Sequence, residues 1–293
     1  MIFLTILFIA FIAPLATGTC ALCIFGRKKA TEKPVLLLHT ITDGRHAHFS
    51  HYSPKKFLGL IERLHAQNLH SRTLSDMAAL PPDARDPAIT FDDGFESFFS
   101  QAISVLDDYG MKVTVFPIAG YVGKRSRWDV LPGQPHLTGP QIREISDRGH
   151  EIGSHTLTHA NLTFLGDADV RRELCDSKRM LEDITGKPVV SLSFPFGSWN
   201  KRVWEMALES GYRYGTCYRH HKNIPAGLIP VRGIYSFDTV QDVFDKIAPS
   251  KPFSNAYARC RVVSHFAKGS PLWKFLPNYL LFRSSNQFLF HFF

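Results

Sequence analysis

No G-x-G-x-x-G fingerprint and no Walker-type phosphate loop occurs in the 293 residues, so the sequence gives no support to nucleotide binding. Internal repeats and low-complexity tracts are also missing, which leaves no sign of a repeat array. Cysteine is sparse, at five residues. Cys20 and Cys23 have C-x-x-C spacing but lie inside an apolar segment, and are not read as a metal or redox pair. Cys175, Cys217 and Cys260 are scattered and odd in number, so no disulfide framework can be drawn and ordinary packed thiols are expected. Acidic residues are outnumbered by basic ones, 26 to 34, for a formal net charge of +8. Yet no basic run is interleaved with aromatics, and no nucleic-acid partner is expected. A phospholipid surface or an anionic glycan suits the charge better, and solvated surface charge is the simplest account. No protein partner can be read.

What is present begins with a long apolar opening. Met1 to Phe25 is almost continuously apolar and is succeeded by Gly26-Arg27-Lys28-Lys29. That length can cross a bilayer as a helix, or serve as a signal peptide with Ala16-Thr17-Gly18 as the small-residue cleavage site. No Lys or Arg precedes the run, and the basic cluster behind it favours a cytoplasmic side for the rest of the chain. The expectation is membrane attachment through residues 1–33 at the cell envelope, extracytoplasmic, with the cytoplasmic face left open by that basic flank. Residues 250–293 form an aromatic and basic tail, including Pro271-Leu272-Trp273-Lys274-Phe275-Leu276. Packing against the main domain is one expectation for it, an interfacial membrane segment another.

Between them, residues 34–249 are read as one domain, and a hydrophobic content of 44% is ample for its core. Short apolar runs at Val35–Leu38, Ala88–Phe91, Val113–Ile118, His150–Ser154, Val189–Phe194, Arg213–Cys217 and Ile229–Ile234 are strand candidates. Helical patterns fall at Pro54–Asn68, Phe95–Tyr109, Gly139–Asp147, Asp167–Thr185, Lys201–Ser210 and Val240–Ile247. Repeated strand-then-helix order implies a mainly parallel sheet with helical crossovers. Seven strands in this length predict an α/β fold, a distorted and incomplete (β/α) barrel.

Thr90-Phe91-Asp92-Asp93-Gly94 ends the second of these strands with two adjacent carboxylates. Neighbours on a strand point to opposite faces, but a turn at the strand's end can aim both into one cleft, with Gly94 permitting the tight backbone. One acid can then ligate a metal while the other takes a proton. The plainer alternative is that Asp92 or Asp93 merely caps the following helix. In β/α barrels the site lies at the C-terminal ends of the strands. His39, the Asp92-Asp93 pair, His155 with His159, Pro195-Phe196-Gly197 and Arg232 all fall at such ends. His155 and His159, four residues apart, lie on one face if the segment turns helically, and both can then reach a single ion. With 14 histidines in the chain the pair carries little weight alone; its place on a strand end makes an Asp/His/His metal site credible. His46, His48, His51, His220 and His221 lie in predicted loops and are read as solvated.

This combination resembles the polysaccharide deacetylase family, the family-4 carbohydrate esterases that include chitin, peptidoglycan and nodulation-factor chitooligosaccharide deacetylases. Thr90–Gly94 is similar to its TFDDG motif, His155-Thr156-Leu157-Thr158-His159 to its H-[ST]-x-x-H motif, and Ser193-Phe194-Pro195-Phe196-Gly197 to its R-x-P-Y-G motif. The resemblance covers roughly Pro34 to Ile247. Two departures stand out. Ser193 occupies the usual arginine position, and the late L-x-H motif has no convincing match. Leu37-Leu38-His39 lies on the first strand instead, which resembles the circularly permuted branch typified by deacetylases of poly-β-1,6-N-acetylglucosamine. His265 is the second candidate for the acid.

The resemblance implies a divalent metal held by Asp93, His155 and His159, with zinc expected and iron, cobalt or nickel compatible with the donors. It implies Asp92 as base, His39 as acid, the Phe196 N–H as an oxyanion donor, and Thr156 as a residue orienting the metal loop. Arg232 is expected to reach Asp92 from a neighbouring strand end, in place of the arginine missing at 193; an ordinary structural arginine is the alternative. The activity implied is removal of N-acetyl groups from an amino-sugar polysaccharide. A lipid-linked amino-sugar deformylase or deacylase, an O-acetyl esterase, and an inactive glycan-binding relic are the alternatives.

Overall fold

Four consecutive aliphatic residues, Val35–Leu38 (β1), are all buried and take the centre of the main sheet. Such a run, apolar on both faces, suits a parallel strand covered by helices on one side and by the barrel interior on the other. The computed structural model describes residues 34–44, 49–81, 85–126, 133–218 and 224–247. Residues 1–33, the tail, His46, His48, His220, His221 and His265 lie outside the described residues, as do the membrane expectations that rest on them. No helix among the described residues is long and apolar enough to cross a membrane.

Beyond β1 the strands are Thr40–Ile41 (β2), His51–Tyr52 (β3), Ala88–Phe91 (β4), Thr114–Val115 (β5), Glu151–Ile152 (β6), Ser191–Ser193 (β7), Tyr214–Tyr218 (β8) and Leu228–Gly233 (β9). Seven of them form one sheet in the order β6-β5-β4-β1-β9-β8-β7, with every pairing parallel. The two ends of that sheet meet at a parallel bridge between Ser154 and Leu192. There Ser154 N donates to Ser191 O at 2.9 Å and Ser193 N to Ser154 O at 2.9 Å. The result is the expected distorted barrel, its last seam held by a single bridge. β2 and β3 form a separate parallel ribbon beside β1, which the sequence pattern did not reveal.

The helices are Pro54–Ala66 (α1), Leu74–Ala79 (α2), Ser97–Gln101 (α3), Ile103–Asp108 (α4), Gly139–Asp147 (α5), Asp167–Thr185 (α6), Lys201–Glu209 (α7) and Val240–Ile247 (α8). α1 starts where Ser53 Oγ accepts from Lys56 N and Pro54 occupies the first turn, and it buries Phe57, Leu60, Ile61 and Leu64 on one face. That face packs on the outward side chains of the sheet, among them Leu36, Leu38, Ile89 and Phe91. The inward side chains Val35, Leu37, Ala88 and Val231 pack with Leu74 and Met77 of α2. Because Leu74 N also bonds Thr114 Oγ1 at the first residue of β5, α2 plugs the N-terminal end of the barrel. The opposite, C-terminal end is left for chemistry. One helix expected over Phe95–Tyr109 is instead two, broken at Ala102, and starts late because Phe95 bridges His136 in extended conformation.

Candidate active site

Asp92 N donates to Leu38 O at 2.9 Å, carrying the β4–β1 pairing one residue past the strand. Asp92 therefore keeps the inward parity of Ala88 and Thr90. Asp93 then takes φ 68° and Gly94 φ 67°, so the backbone reverses and the second carboxylate returns to the same cleft. A Cβ on Gly94 would lie 2.6 Å from Pro117 Cα, which adds a steric demand for glycine to the conformational one. Neither aspartate caps the next helix: α3 has Glu96 at its N-cap position and no side-chain cap bond. The capping alternative is thereby removed.

His155 and His159 do not sit on a helix. They come after β6 in a tight turn with φ 67° at Thr156 and φ 64° at His159. His159 N donates to Thr156 Oγ1 at 3.2 Å, and Thr156 N to Ser154 Oγ at 3.1 Å, so Thr156 does shape this loop. Glu173 of α6 clamps it from below, accepting from Leu157 N and Thr158 N at 2.9 Å each and from Thr158 Oγ1 at 2.6 Å. Four of the five non-glycine residues with positive φ among the described residues are Asp93, Thr156, His159 and Phe196, so backbone strain concentrates at this rim.

His155 Nδ1 lies 2.8 Å from Ser193 O, and a carbonyl can only accept, so the proton sits on Nδ1 and the Nε2 lone pair faces the cleft. From there Nε2 is 3.4 Å from Asp93 Oδ1, and His159 Nε2 is 3.6 Å from the same oxygen. The three ligand atoms all lie within 4.8 Å of one another. Donors about 2.0–2.1 Å from a tetrahedral ion stand about 3.3 Å apart, so the set fits one divalent cation. The sequence-predicted ligands are thus brought together.

Asp92 is adjacent and placed for another task. Ser193 Oγ donates to its Oδ2 at 2.8 Å, while its Oδ1 is buried without a hydrogen-bond partner. Burial raises the Asp92 carboxyl, with Asp93 adding to the rise against the pull of His155, His39 and the Ser193 hydroxyl. Burial would raise Asp93 too, but His155, His39 and His159 around it hold it well below the usual carboxylate range. Two neighbouring acids are so pushed apart, one towards holding a proton and one towards a permanent anion. Burial, reinforced by His155, pushes His159 down to about 3, which keeps the imidazole neutral and able to ligate. For His155 burial is outweighed by Asp92, Asp93 and the Ser193 carbonyl, and its ordinary value is raised.

His39 stands at the end of β1, half-buried, with Nδ1 lacking a hydrogen-bond partner, and it influences both carboxylates. Phe196, at φ 59°, lays its ring edge-on to His159, 4.8 Å between centroids. Arg232 corrects the sequence expectation. It pairs in register with Leu36, whose side chain faces the helices, whereas its neighbour Val231 pairs with Val35 and faces the interior. Strand parity thus sends Arg232 outward, where Nη1 donates to Lys246 O on α8. It is Ser193, not Arg232, that supplies a hydrogen bond to Asp92. His51, expected in a loop, is half-buried in β3.

Two contributors escaped the sequence pattern. His136 Nδ1 bonds Asp93 O at 3.0 Å, with its ring between Phe95 and Tyr121 at 4.9 and 5.3 Å. Its flanking sequence marks no element, so nothing local pointed to it. Glu173 sits in an ordinary amphipathic helix and was equally silent.

A buried Asp/His/His cluster able to hold a divalent ion and a second carboxylate stand together at the C-terminal mouth of a parallel β/α barrel, where barrel enzymes carry their active sites. Residues 79–215 match the family model described as polysaccharide deacetylase. The Bacillus subtilis (strain 168) protein YxkH, named for the same family, is 29% identical over 194 residues, 64% of this chain and 65% of that protein. A peptidoglycan-N-acetylglucosamine deacetylase of Bacillus cereus is 29% identical over 135 residues, 46% of this chain and 57% of the relative. The crystal structure of BC0361, a polysaccharide deacetylase from Bacillus cereus, superposes with a TM-score of 0.62 at 25% identity, covering 74% of this chain and 69% of that one. Over these residues the chain is similar to the polysaccharide deacetylase family. It spans less than two thirds of the length of the curated relatives it matches. The family match contains Asp92, Asp93, His155, His159, Ser193 and Phe196, while His39 and Arg232 lie outside it.

Proposed function

We propose that this protein is a metal-dependent hydrolase that removes N-acetyl groups from an N-acetylated amino-sugar polymer. The observation that carries the reading is the Asp93, His155 and His159 cluster with Asp92 Oδ1 left unpartnered beside it. A divalent ion held by those three side chains, zinc in the first instance, would supply carbonyl polarisation and a more acidic water. Asp92 takes the proton of the attacking water on Oδ1, and its raised affinity for a proton suits a general base. Ser193 keeps the opposite oxygen in place during that transfer. His39, approaching from β1, gives a proton to the departing amine, and the Phe196 N–H steadies the developing oxyanion.

Acetate release should be measured on chitooligosaccharides, poly-β-1,6-N-acetylglucosamine and peptidoglycan fragments, with and without chelator, for wild type and Asp92→Asn. Chelator-sensitive acetate release that Asp92→Asn reduces at least a hundredfold is expected, in line with the usual weight of a general base (about 10²–10⁴-fold). No chelator-sensitive release from any of them would sink the reading. Formate from a lipid-linked amino sugar would replace it with deformylation.

A further inference from the structure

Beside His39 the barrel rim carries an aromatic stack that the reaction chemistry does not use. Ile234 N bonds Leu37 O at 2.8 Å, so the segment leaving β9 starts against the end of β1, where His39 stands. Tyr235 and Phe237 in that segment stack at 5.5 Å and 22°. Phe237 in turn meets Phe49 edge-to-face at 5.9 Å and 64°. Phe49 comes from the stretch before β3, tied to the same place twice: Ser236 N donates to Phe49 O at 2.9 Å, and Thr40 N, next to His39, to Ser50 O at 3.4 Å. Tyr235 is buried and Phe237 half-buried, but Phe49 is 54% exposed.

The loop beneath these rings is held with unusual firmness. Lys246 Nζ, fully buried, donates to Gly233 O at 2.8 Å and to Asp238 Oδ2 at 2.5 Å. Lys56 Nζ donates to Ser236 O at 2.7 Å and to Asp238 O at 3.0 Å. Asp238 Oδ2 also accepts from Tyr235 N at 2.8 Å. Burying a lysine–aspartate pair costs several kcal/mol of desolvation per ion and returns little net stability. Here its geometric effect is to fix residues 233–238, against whose half-buried Phe237 the exposed Phe49 ring rests. A ring fixed in advance binds a flat apolar partner with little loss of side-chain freedom.

We propose that Phe49, backed by Phe237 and Tyr235, is a stacking platform for a second sugar ring of the substrate, next to the ring that reacts. The ligand class is a β-linked hexopyranose unit, whose ring presents a face of C–H groups to an aromatic surface. Phe49 offers no hydrogen bond, so it reads that face and not the acyl substituents. The proposal deepens the deacetylase reading and makes the substrate an oligomer.

The full chain should be compared as wild type, Phe49→Ala and Phe49→Trp on a chitotetraose substrate and on a small aryl acetate, with chitotetraose binding measured by calorimetry. Because Phe49 is exposed, neither variant should disturb folding, which an unchanged thermal melt checks. Phe49→Ala should raise KM and Kd for the tetramer about tenfold, the scale of losing one well-placed aromatic contact, and lower the tetramer-to-aryl-acetate ratio of kcat/KM equally. Phe49→Trp should restore both. An active wild type whose ratio and Kd do not respond to Phe49→Ala overturns the platform and leaves deacetylation standing. Binding lost in Phe49→Ala, with no acetate released by wild type from any glycan, supports the platform and overturns the catalytic reading. A wild type that neither binds nor hydrolyses β-1,4- or β-1,6-linked oligomers overturns both.

Discussion

Ser193 Oγ lies 2.8 Å from Asp92 Oδ2, and the carbonyl of the same serine lies 2.8 Å from His155 Nδ1. One residue therefore orients both the acid placed to take a proton and a side chain placed to hold a metal. A hydroxyl of neutral charge does this where the family motif has an arginine, so Asp92 keeps a raised proton affinity that a neighbouring cation would oppose.

Ser193→Ala removes the side-chain bond and retains the backbone one. A hydrogen bond to a charged group contributes about 1.5–3 kcal/mol, so kcat should fall about 10–100-fold. KM and bound metal should stay near wild type, and Ser193→Thr should recover most of the rate. Steady-state kinetics with elemental analysis check this; metal lost in parallel with rate would show that the hydroxyl holds the fold of the site and not the base.

Glu173→Ala leaves Leu157 N, Thr158 N and Thr158 Oγ1 without their acceptor beneath the histidine loop. Leu157 is half-buried and Thr158 exposed, so water offsets part of the loss. Each contact is still a hydrogen bond to a carboxylate contributing about 1.5–3 kcal/mol, and the loop carries both histidines of the cluster. Stability should drop by about 3 kcal/mol and metal affinity by about 10–100-fold, as outer-shell changes do. Denaturant melts and metal titration with a competing chelator measure both.

Gly94→Ala demands a left-handed backbone from alanine and drives its Cβ into Pro117. The two effects together should cost about 2–4 kcal/mol or prevent folding. Where folded protein is recovered, hydrolysis should be lost, because the displaced turn carries Asp92 and Asp93.

His150 offers a pH test away from the site. Val113 N donates to its Nδ1 at 3.3 Å, which requires an unprotonated nitrogen. Burial, with help from Lys112, pushes it from an ordinary 6.5 down to about 4. The unfolded chain therefore binds this proton first. Its neutral form contributes fully above pH 6.5, and stability is lost as pH falls from there to about 4, by about 3 kcal/mol in all. Urea melts from pH 7.5 to 4.5 should show that loss in wild type, with His150→Asn losing less over the same interval. Parallel curves for the two would refute it.

The seven barrel strands were readable because buried parallel strands are short, nearly continuous apolar runs separated by amphipathic helices. The gathering of Asp92, Asp93, His155 and His159 was readable because they come soon after those runs. What was hidden depends on distance along the chain or on strand parity. Arg232 sits one residue from an inward position, and only the Leu36 register tells which side it faces. Ser193 looked like a missing arginine until its hydroxyl was seen against Asp92, 101 residues away. α2, six residues long, and the two-residue strands β2 and β3 are too short to establish a period.

The bridge from Ser154 to Leu192, where the sheet meets itself, runs between the histidine loop and the strand that carries Ser193. The thinnest part of the cylinder's wall is therefore also the wall of its reaction chamber. The His155–Ser193 bond spans that join, so it works as a clasp as well as an orienting contact. Substitutions that retune the chemistry here also change how tightly the cylinder shuts, and adaptation of substrate range at this edge is tied to the cohesion of the whole fold.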